Sequence, residues 1–337
     1  NVANTVSLTT GTQKNQTYVS VGAVNARGII QNNDLDRYNF SVRNTTSMLN
    51  DKLTMDLSFM YSNVKEQNML SQGEYANPLV PVYLFPRGDD FSKYQYYERY
   101  DVDRNIKTQF WPLKENGLSM QNPYWITNRN MYTNKKDRFL ASGSLKYTIT
   151  DWLNVSGRVK LDKETINSEK KMYASTLNVI AENSDKGAYV QSNKNTSQIY
   201  ADAMLNINKY FYHDTWNLTA SLGASLLDLD YKELNFGGGL LTIPNLFTSN
   251  NANVSGKLTY KNTNYHDRTN SLFGTFSLGY KGMVYVDGSL RNDWISALAG
   301  TNHSSILYPS IGASAILTNM FTMKSNILSY AKVRLSY

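Results

Sequence analysis

The sequence predicts an all-β protein, a transmembrane antiparallel β-barrel, and three observations support that fold class. Apolar and polar residues alternate with a period of two over stretches of about 9 to 11 residues. Short and long connections separate these stretches in turn. Aromatic residues flank the short connections, where a barrel would meet the surface of a bilayer.

The composition suits a sheet with one aromatic-rich face and one polar face. The 337 residues include 25 Tyr, 12 Phe and 5 Trp but no Cys, and the mean hydropathy is -0.47. The lack of Cys excludes disulfides, thiolate metal ligands and thiol nucleophiles. The formal net charge is only +7, and no basic run accompanies a nucleic-acid-binding motif. We therefore expect no nucleic-acid partner.

The alternation is clearest between Leu53 and Tyr61, where every second residue is apolar and those between are mostly polar. No stretch approaches the roughly 18 to 20 consecutive apolar residues of a transmembrane helix, but alternating strands need no such run. The pattern recurs in four further stretches, at 139–149, 155–161, 199–207 and 216–226. Each is about as long as a tilted strand that crosses the hydrocarbon layer.

The two faces of these strands have different predicted surroundings. The apolar positions should face lipid, and they include Leu57, Phe59, Leu145, Leu205 and Leu222. The intervening positions carry charges, namely Asp56, Lys146, Arg158, Lys160, Asp202, Asp287, Arg291, Lys332 and Arg334. Because unpaired charges are costly in a dry core, this second face is predicted to line a wet lumen.

The connections are predicted to alternate strictly between short turns and long loops. The short turns are Asn50-Asp51, Thr150-Asp151-Trp152, 209–214 and Lys281-Gly282, and the long loops are 26–36, 65–137, 163–197, 229–266 and 294–305. Barrels of the outer membrane have periplasmic turns and extracellular loops arranged in this way. Six aromatic residues beside the turns are predicted to form an interfacial girdle: Tyr147, Tyr210, Phe211, Tyr212, Trp216 and Tyr280.

About twelve strands are predicted, the last of them at 330–337. An open sheet would leave unpaired edge groups in lipid, so we expect the chain to be part of a larger barrel. The three His residues lie far apart, and no nucleophile motif accompanies them, so neither a metal site, a cofactor nor an enzyme is predicted. Gly237-Gly238-Gly239 lacks the Lys and the helix of a phosphate loop and is interpreted as a flexible loop tip.

Several short motifs, in this order, resemble SusC/RagA-like TonB-dependent outer-membrane transporters. They are Asn122-Pro123-Tyr124-Trp125, Lys136-Asp137-Arg138-Phe139, Ile149-Thr150-Asp151-Trp152-Leu153, Ser289-Leu290-Arg291-Asn292-Asp293, Tyr308-Pro309-Ser310-Ile311-Gly312 and 329–337. The resemblance implies a plugged barrel of about 22 strands in the bacterial outer membrane. It also implies import of oligosaccharides or peptides, energy supplied through TonB and a SusD-like surface lipoprotein as a lid.

Within that resemblance, residues 1–337 would form part of the barrel domain, and the plug, the TonB-contacting segment and the closing strands would lie outside this chain. Two alternatives remain open. One is a passive porin or structural outer-membrane protein, which an upstream plug would exclude. The other, an outer-membrane hydrolase, is disfavoured because no catalytic set is visible.

The predicted contact site for a ligand or a partner lies in the long loop 65–137, which is longer than ordinary connections. Flat aromatic faces beside charged groups can stack on sugars or hold peptides. The candidate residues are Tyr94, Tyr96, Tyr97, Tyr100, Trp111 and Trp125. The alternative is that these aromatic residues pack the loop against itself or against a partner protein.

Overall fold

In the part of the chain that the structure describes, twelve strands form one antiparallel sheet, in which each strand pairs with the strands of this sheet that precede and follow it in sequence. The structure is a computed structural model that describes residues 1–69, 73, 75–112, 120–253, 260–321 and 328–337. The first six strands of the sheet are β1 (Val2–Gly11), β2 (Asn15–Arg27), β3 (Asp34–Met48), β4 (Leu53–Gln67), β7 (Asn130–Thr150) and β8 (Leu153–Tyr173). The other six are β9 (Gly187–Phe211), β10 (Trp216–Gly239), β11 (Tyr260–Tyr280), β12 (Val284–Ile295), β13 (Ser305–Ile316) and β14 (Lys332–Ser336). The predicted strand number is confirmed.

The connection between β4 and β7 contains a separate hairpin of β5 (Glu98–Asp101) and β6 (Ile106–Gln109). The described residues also form three short α-helices, α1 (Leu79–Tyr83), α2 (Pro123–Arg129) and α3 (Leu317–Met320), and three 3₁₀ turns, at Phe91–Gln95, Ser249–Asn251 and Ser296–Leu298. None of the helices in the described ranges has the length and apolar composition needed to cross a bilayer.

The register of the sheet keeps the predicted lipid-facing residues on one side across neighbouring strands. Leu205 of β9 lies opposite Val155 of β8 and Leu222 of β10, and Leu145 of β7 lies opposite Gly157. We call this side the lipid face and the opposite side the lumen face. A register slip of one residue in any strand would exchange its two faces, so the apolar side fixes the pairing.

Polar side chains bond to one another across strands on the lumen face. Arg158 Nε donates to Asp202 Oδ2 at 2.8 Å, and Arg43 Nε donates to Asp56 Oδ2 at 2.9 Å. The hydroxyls of Ser58 and Ser142 lie 2.7 Å apart. The charged residues predicted for this face therefore do share it, and they are arranged as a cross-strand ladder.

The lipid face changes character at one level of the sheet. On five strands the unbroken apolar run of this face ends at Tyr61, Phe139, Leu161, Ile199 and Leu226, and the next positions on the same face are Asn63, Asp137, Lys163, Ser197 and Asp228. Tyr61 Oη donates to Asp137 at 2.6 Å. Arg268 donates twice to Asp228, at 2.6 and 2.8 Å. Charged groups bonded in this way mark the upper limit of the hydrocarbon layer.

The strands continue well past this level, so the predicted limits of the long loops are wrong. The loop predicted at 163–197 spans 174–186, and the loop predicted at 229–266 spans 240–259. Strands β8 to β11 reach lengths of 21 to 25 residues. Beyond the lipid both faces meet water, and the apolar alternation that identifies a strand from sequence disappears although the pairing persists.

The three glycines at the end of β10 do not form a loop tip. They pair with residues 188–190 of β9 and are buried. A Cβ on Gly237 would lie 2.1 Å from the carbonyl oxygen of Tyr189, and φ there is +139°. A Cβ on Gly239 would lie 2.7 Å from Ser184. Glycine is required because backbone segments approach each other closely.

Alternation of short and long connections holds for most of the sheet but is not strict. The connection between β13 and β14 spans 317–331, although it lies at the end of the sheet that carries the short turns. There Asn319 Nδ2 donates to Gly282 O at 2.9 Å, which ties this connection to the neighbouring turn. Residues 322–327 within it lie outside the described ranges.

The predicted aromatic girdle at the turn end is confirmed in part. Tyr147, Phe211, Trp216 and Tyr280 lie on the lipid face, and the rings of Trp216 and Tyr280 are 4.8 Å apart. Tyr210 lies on the lumen face, and Tyr212 is in the turn.

Adjacent positions on β7 provide a direct test of the two faces. In the full-length protein in outer-membrane vesicles, Lys146→Cys should react with a membrane-impermeant maleimide, because its side chain faces water. Leu145→Cys should be protected, because its side chain faces lipid. Mass spectrometry of the labelled protein measures the two yields. The reverse order of reactivity would show that the assigned faces are wrong.

Candidate functional site

The loop between β4 and β7, residues 68–129, is called here the cap loop, and its described residues pack into one unit. It contains α1, a 3₁₀ turn at Phe91–Gln95, the β5–β6 hairpin and α2. Of its residues, 70–72, 74 and 113–119 lie outside the described ranges. All six predicted contact residues belong to it, and the structure gives them different positions.

Asn122 is the centre of the cap loop. Its side chain is fully buried and forms the N-cap of α2, where its Oδ1 accepts from the Tyr124 backbone N–H at 2.8 Å. Its Nδ2 donates to the carbonyl oxygens of Tyr94 and Phe110, at 2.8 and 2.9 Å. Pro123 follows at the first helical position, which it favours. One amide side chain thus joins the 3₁₀ turn, the hairpin and the helix.

Trp125, three residues later, is fully buried and joins the cap loop to the loop 174–186. Its Nε1 donates to Thr176 Oγ1 at 3.0 Å, and that hydroxyl in turn donates to Asn130 Oδ1 at 2.7 Å. The motif Asn122-Pro123-Tyr124-Trp125 therefore has a structural role, since it folds and anchors the cap loop.

Gln109 and Gln121 complete the attachment of the cap loop to the loop 174–186. The Gln109 backbone N–H donates to Ser175 Oγ at 2.7 Å, and its Nε2 donates to Ser175 O at 2.6 Å. Gln121 Oε1 accepts from the Leu177 backbone N–H at 3.1 Å. Each side chain has a buried position, and each satisfies backbone groups that a loop cannot pair by itself.

The described part of the loop 240–259, residues 240–253, packs on the same assembly. Asn245 Oδ1 accepts from the Ala174 backbone N–H at 2.7 Å. The Phe247 ring lies 5.0 Å from the Tyr173 ring and 6.1 Å from the Tyr189 ring. The described parts of the three loops, 68–129, 174–186 and 240–259, thus form one connected layer over the loop end of the sheet, which we call the cap.

Tyr94 and Trp111 are part of the cap interior. They are 9% and 6% exposed, and their ring centroids are 5.3 Å apart. Phe85 and Phe110 pack on them, with centroid distances of 5.6 Å from Phe85 to Trp111 and 5.2 Å from Phe110 to Tyr94. With Trp125, half of the predicted contact residues therefore occupy positions that favour the packing alternative.

The other three candidates remain accessible. Tyr96 and Tyr100 are 70% and 60% exposed, and Tyr97 is half-buried. The Tyr100 hydroxyl donates to Asn105 Oδ1 across the hairpin, which holds its ring in place. Exposed, fixed tyrosines offer contact area and a polar tip to a ligand or a partner.

A charged cluster stabilises the hairpin. Glu98 accepts from Lys107 Nζ at 2.6 Å and from Arg129 Nη2 at 2.6 Å, and the Arg129 guanidinium lies 4.8 Å from the Tyr173 ring. Burial raises the pKa of Glu98, but the hydrogen bonds from Lys107 and Arg129 outweigh it and hold the pKa below its ordinary value. The carboxylate therefore stays ionised and fixes the hairpin to α2.

Among the residues that the structure describes, no group of three His, Asp or Glu side chains could hold a metal ion. His266 is part of the Asp228–Arg268 cluster on the lipid face, with its Nε2 2.8 Å from Asp228 Oδ1.

The antiparallel order of the sheet and its two different faces are those of a β-barrel wall, and comparison with solved structures shows the same fold. The chain is similar to one in the structure of the RagAB peptide transporter, with 16% identity and a TM-score of 0.71, over 99% of this chain and 36% of that chain. The fold predicted from the resemblance to SusC/RagA-like TonB-dependent barrels is thereby confirmed. No family model and no curated protein matches the sequence.

Two receptors share the fold at lower similarity. One is BauA, the ferric preacinetobactin receptor of Acinetobacter baumannii, with 10% identity and a TM-score of 0.54, over 93% of this chain and 42% of that chain. The other is the ferric-catecholate import receptor Fiu of E. coli, with 11% identity and a TM-score of 0.54, over 99% of this chain and 52% of that chain. Of these three proteins, RagAB is a transporter and BauA and Fiu are receptors. The chain spans about a third of the length of the RagAB chain.

The anchoring role of Trp125 can be measured locally. Trp125→Ala should lower the free energy of unfolding of the cap by about 3 to 5 kcal/mol, the usual cost of truncating a buried Trp. Hydrogen exchange should then accelerate in α2 and in 174–186. Tyr96→Ala is the matched control and should leave exchange there unchanged, because its ring is exposed. Unaltered exchange in Trp125→Ala would contradict the anchoring role.

Acid should loosen the hairpin through Glu98. Because its pKa is lowered on folding, its contribution is present above the ordinary value of 4.5 and is lost as the pH falls through the lowered pKa. Hydrogen exchange of β5 and β6, corrected for the intrinsic rate, should become faster as the pH falls from about 5 to about 3. Glu98→Gln should remove this pH dependence. Equal protection of the hairpin at about pH 5 and about pH 3 in the unmodified protein would contradict the stabilising role of the Glu98 cluster.

Proposed function

We propose that the chain forms part of the wall and the extracellular cap of an outer-membrane importer of oligosaccharides or peptides. TonB would supply the energy, and a SusD-like surface lipoprotein would act as a lid. The observation that carries the proposal is a sheet with an apolar lipid face and a wet lumen face, joined to a folded cap at one end. RagAB, whose chain has this fold, is a peptide transporter.

The folded cap favours an importer over a passive porin. A porin needs an open aqueous passage, whereas the described loops here pack into a layer with a buried aromatic interior. Such a layer is suited to holding a ligand or a partner. The loop end of the sheet would be extracellular, and the turn end periplasmic.

We also propose that further strands complete the barrel. The sheet order is open, running from β1 to β14, and in lipid every strand edge must find a partner. A plug would then lie against the ladder of polar groups on the lumen face. TonB would bind segments outside this sequence.

The exposed surface of the cap loop supports docking of a lipoprotein lid. Tyr83 of α1 is 84% exposed, and Val102 of the hairpin turn is 80% exposed. With Tyr96 and Tyr100 they present large apolar and aromatic side chains to water. Exposed groups of this kind are typical of a protein interface.

A variant with Tyr83, Tyr96 and Tyr100 replaced by Ala tests the lid surface better than a deletion. Removing 92–100 would also remove buried Tyr94 and the Glu98 cluster, and thereby unfold the cap. The triple variant in the full-length protein should lose co-purification of the lipoprotein and growth on the nutrient. If growth fails while the complex persists, the tyrosines contact the ligand.

Tyr210→Ala is the matched control, because Tyr210 is 58% exposed at the opposite end of the sheet, and it should behave like the unmodified protein. Unchanged co-purification and growth in the triple variant would remove these tyrosines from the mechanism. Growth of the unmodified strain that persists without TonB would favour the passive porin.

A further inference from the structure

Three lysines line one cavity on the lumen face at the loop end of the sheet. They are Lys170 of β8, Lys194 of β9 and Lys261 of β11, and the cavity has a volume of about 560 Å³. Its wall also includes the polar side chains of Tyr132, Asn134, Ser168, Ser192, Glu233 and Asn235. A cavity of this size is within the range of small-molecule sites and can hold a sugar ring or a short peptide segment.

The carboxylate in this cavity wall is already bonded to other groups. Glu233 accepts from the Tyr231 hydroxyl at 2.7 Å and from Asn235 Nδ2 at 3.0 Å. Tyr231 in turn stacks on Tyr265, with ring centroids 4.6 Å apart. Lys194 lies directly across the strands from Glu233 but is placed over the Tyr231 ring, with Nζ 5.1 Å from its centroid.

None of the three lysines has a close ion pair or a hydrogen bond with a described residue, although the charges of Lys194 and Lys261 help to lower the pKa of Glu233. Lys170 is the most informative of them, because it is half-buried and also borders a second cavity of about 410 Å³ beside α2. Burial lowers the pKa of Lys170, and Glu182 opposes this only in part. An unpaired cation in such a place destabilises the free protein, and an anionic ligand would relieve that effect.

We propose that Lys170, Lys194 and Lys261 form a subsite for a carboxylate group of the transported ligand. This inference rests on the proposed import function and narrows its substrate class. The ligand would be an acidic peptide or an oligosaccharide that contains uronic acids. Three ammonium groups on strands of one sheet give the carboxylate a fixed position on the barrel wall, and the tyrosines and amides beside them serve its neutral parts.

The test measures binding by the purified full-length protein in detergent, by calorimetry at neutral pH. The probes are blocked tetra-aspartate and tetragalacturonate, each paired with a neutral partner, tetra-asparagine or galactotetraose. At least one acidic probe should bind more tightly than its neutral partner. Lys170→Gln should weaken that binding by about tenfold or more, because a charge-assisted hydrogen bond is lost. Which probe responds distinguishes a peptide from an oligosaccharide.

Lys163→Gln is the matched control on the same strand, because Lys163 is exposed on the lipid face, and it should bind the acidic probe like the unmodified protein. Lys170→Arg keeps the charge and should keep most of the affinity. Equal affinity for acidic and neutral probes, or equal loss in Lys163→Gln and Lys170→Gln, would overturn the subsite. Binding here needs no TonB and no lid, so the subsite can fail while TonB-dependent growth shows that import stands.

Discussion

The structure depends on one constraint, that every backbone N–H and C=O in hydrocarbon must be paired within the protein. Antiparallel pairing of twelve strands meets this requirement inside the sheet, and its pleat then divides the side chains between lipid and water. Leu205 between Val155 and Leu222 shows the result on the lipid face, and Arg158 paired with Asp202 shows it on the lumen face. The register of a strand cannot shift by one residue without exchanging its two faces.

Above the lipid the same strand pairing continues and supports the loops of the cap. Strands β4 and β7 to β11 rise beyond the charged level marked by Asp137 and Asp228 and carry the three loops of the cap. The cap is held by its aromatic interior and by buried amides and hydroxyls, among them Asn122, Gln109 and Thr176, because buried loop backbone groups need side-chain partners. A rigid wall and a fixed cap together hold the exposed tyrosines, and the lysines of the lumen face, at defined positions.

The sequence predicted the strands well where lipid imposes a pattern and poorly where it does not. Within the bilayer only alternation is stable, so the stretch from Leu53 to Tyr61 could be identified directly. Beyond Leu161 both faces are polar, and the continuation of β8 has no sequence signature. Tyr94 and Tyr96 are residues of the same type two positions apart, so the sequence does not distinguish them. Tyr94 is buried because its ring packs against Phe85 and Trp111. Asn122 before Pro123 does carry a recognisable N-cap signal, and that signal would have indicated a structural role.

The most direct test of the account is an accessibility scan with nitroxide labels along β8, at successive positions from 153 to 171 of a chain that has no Cys. Collision rates with oxygen, which concentrates in lipid, and with a water-soluble nickel complex should alternate with a period of two as far as Leu161. From Lys163 onwards both faces should collide mainly with the nickel complex, because the strand has left the bilayer. High oxygen accessibility at odd positions beyond Lys163, or no alternation before it, would contradict the assignment of this strand to a barrel wall.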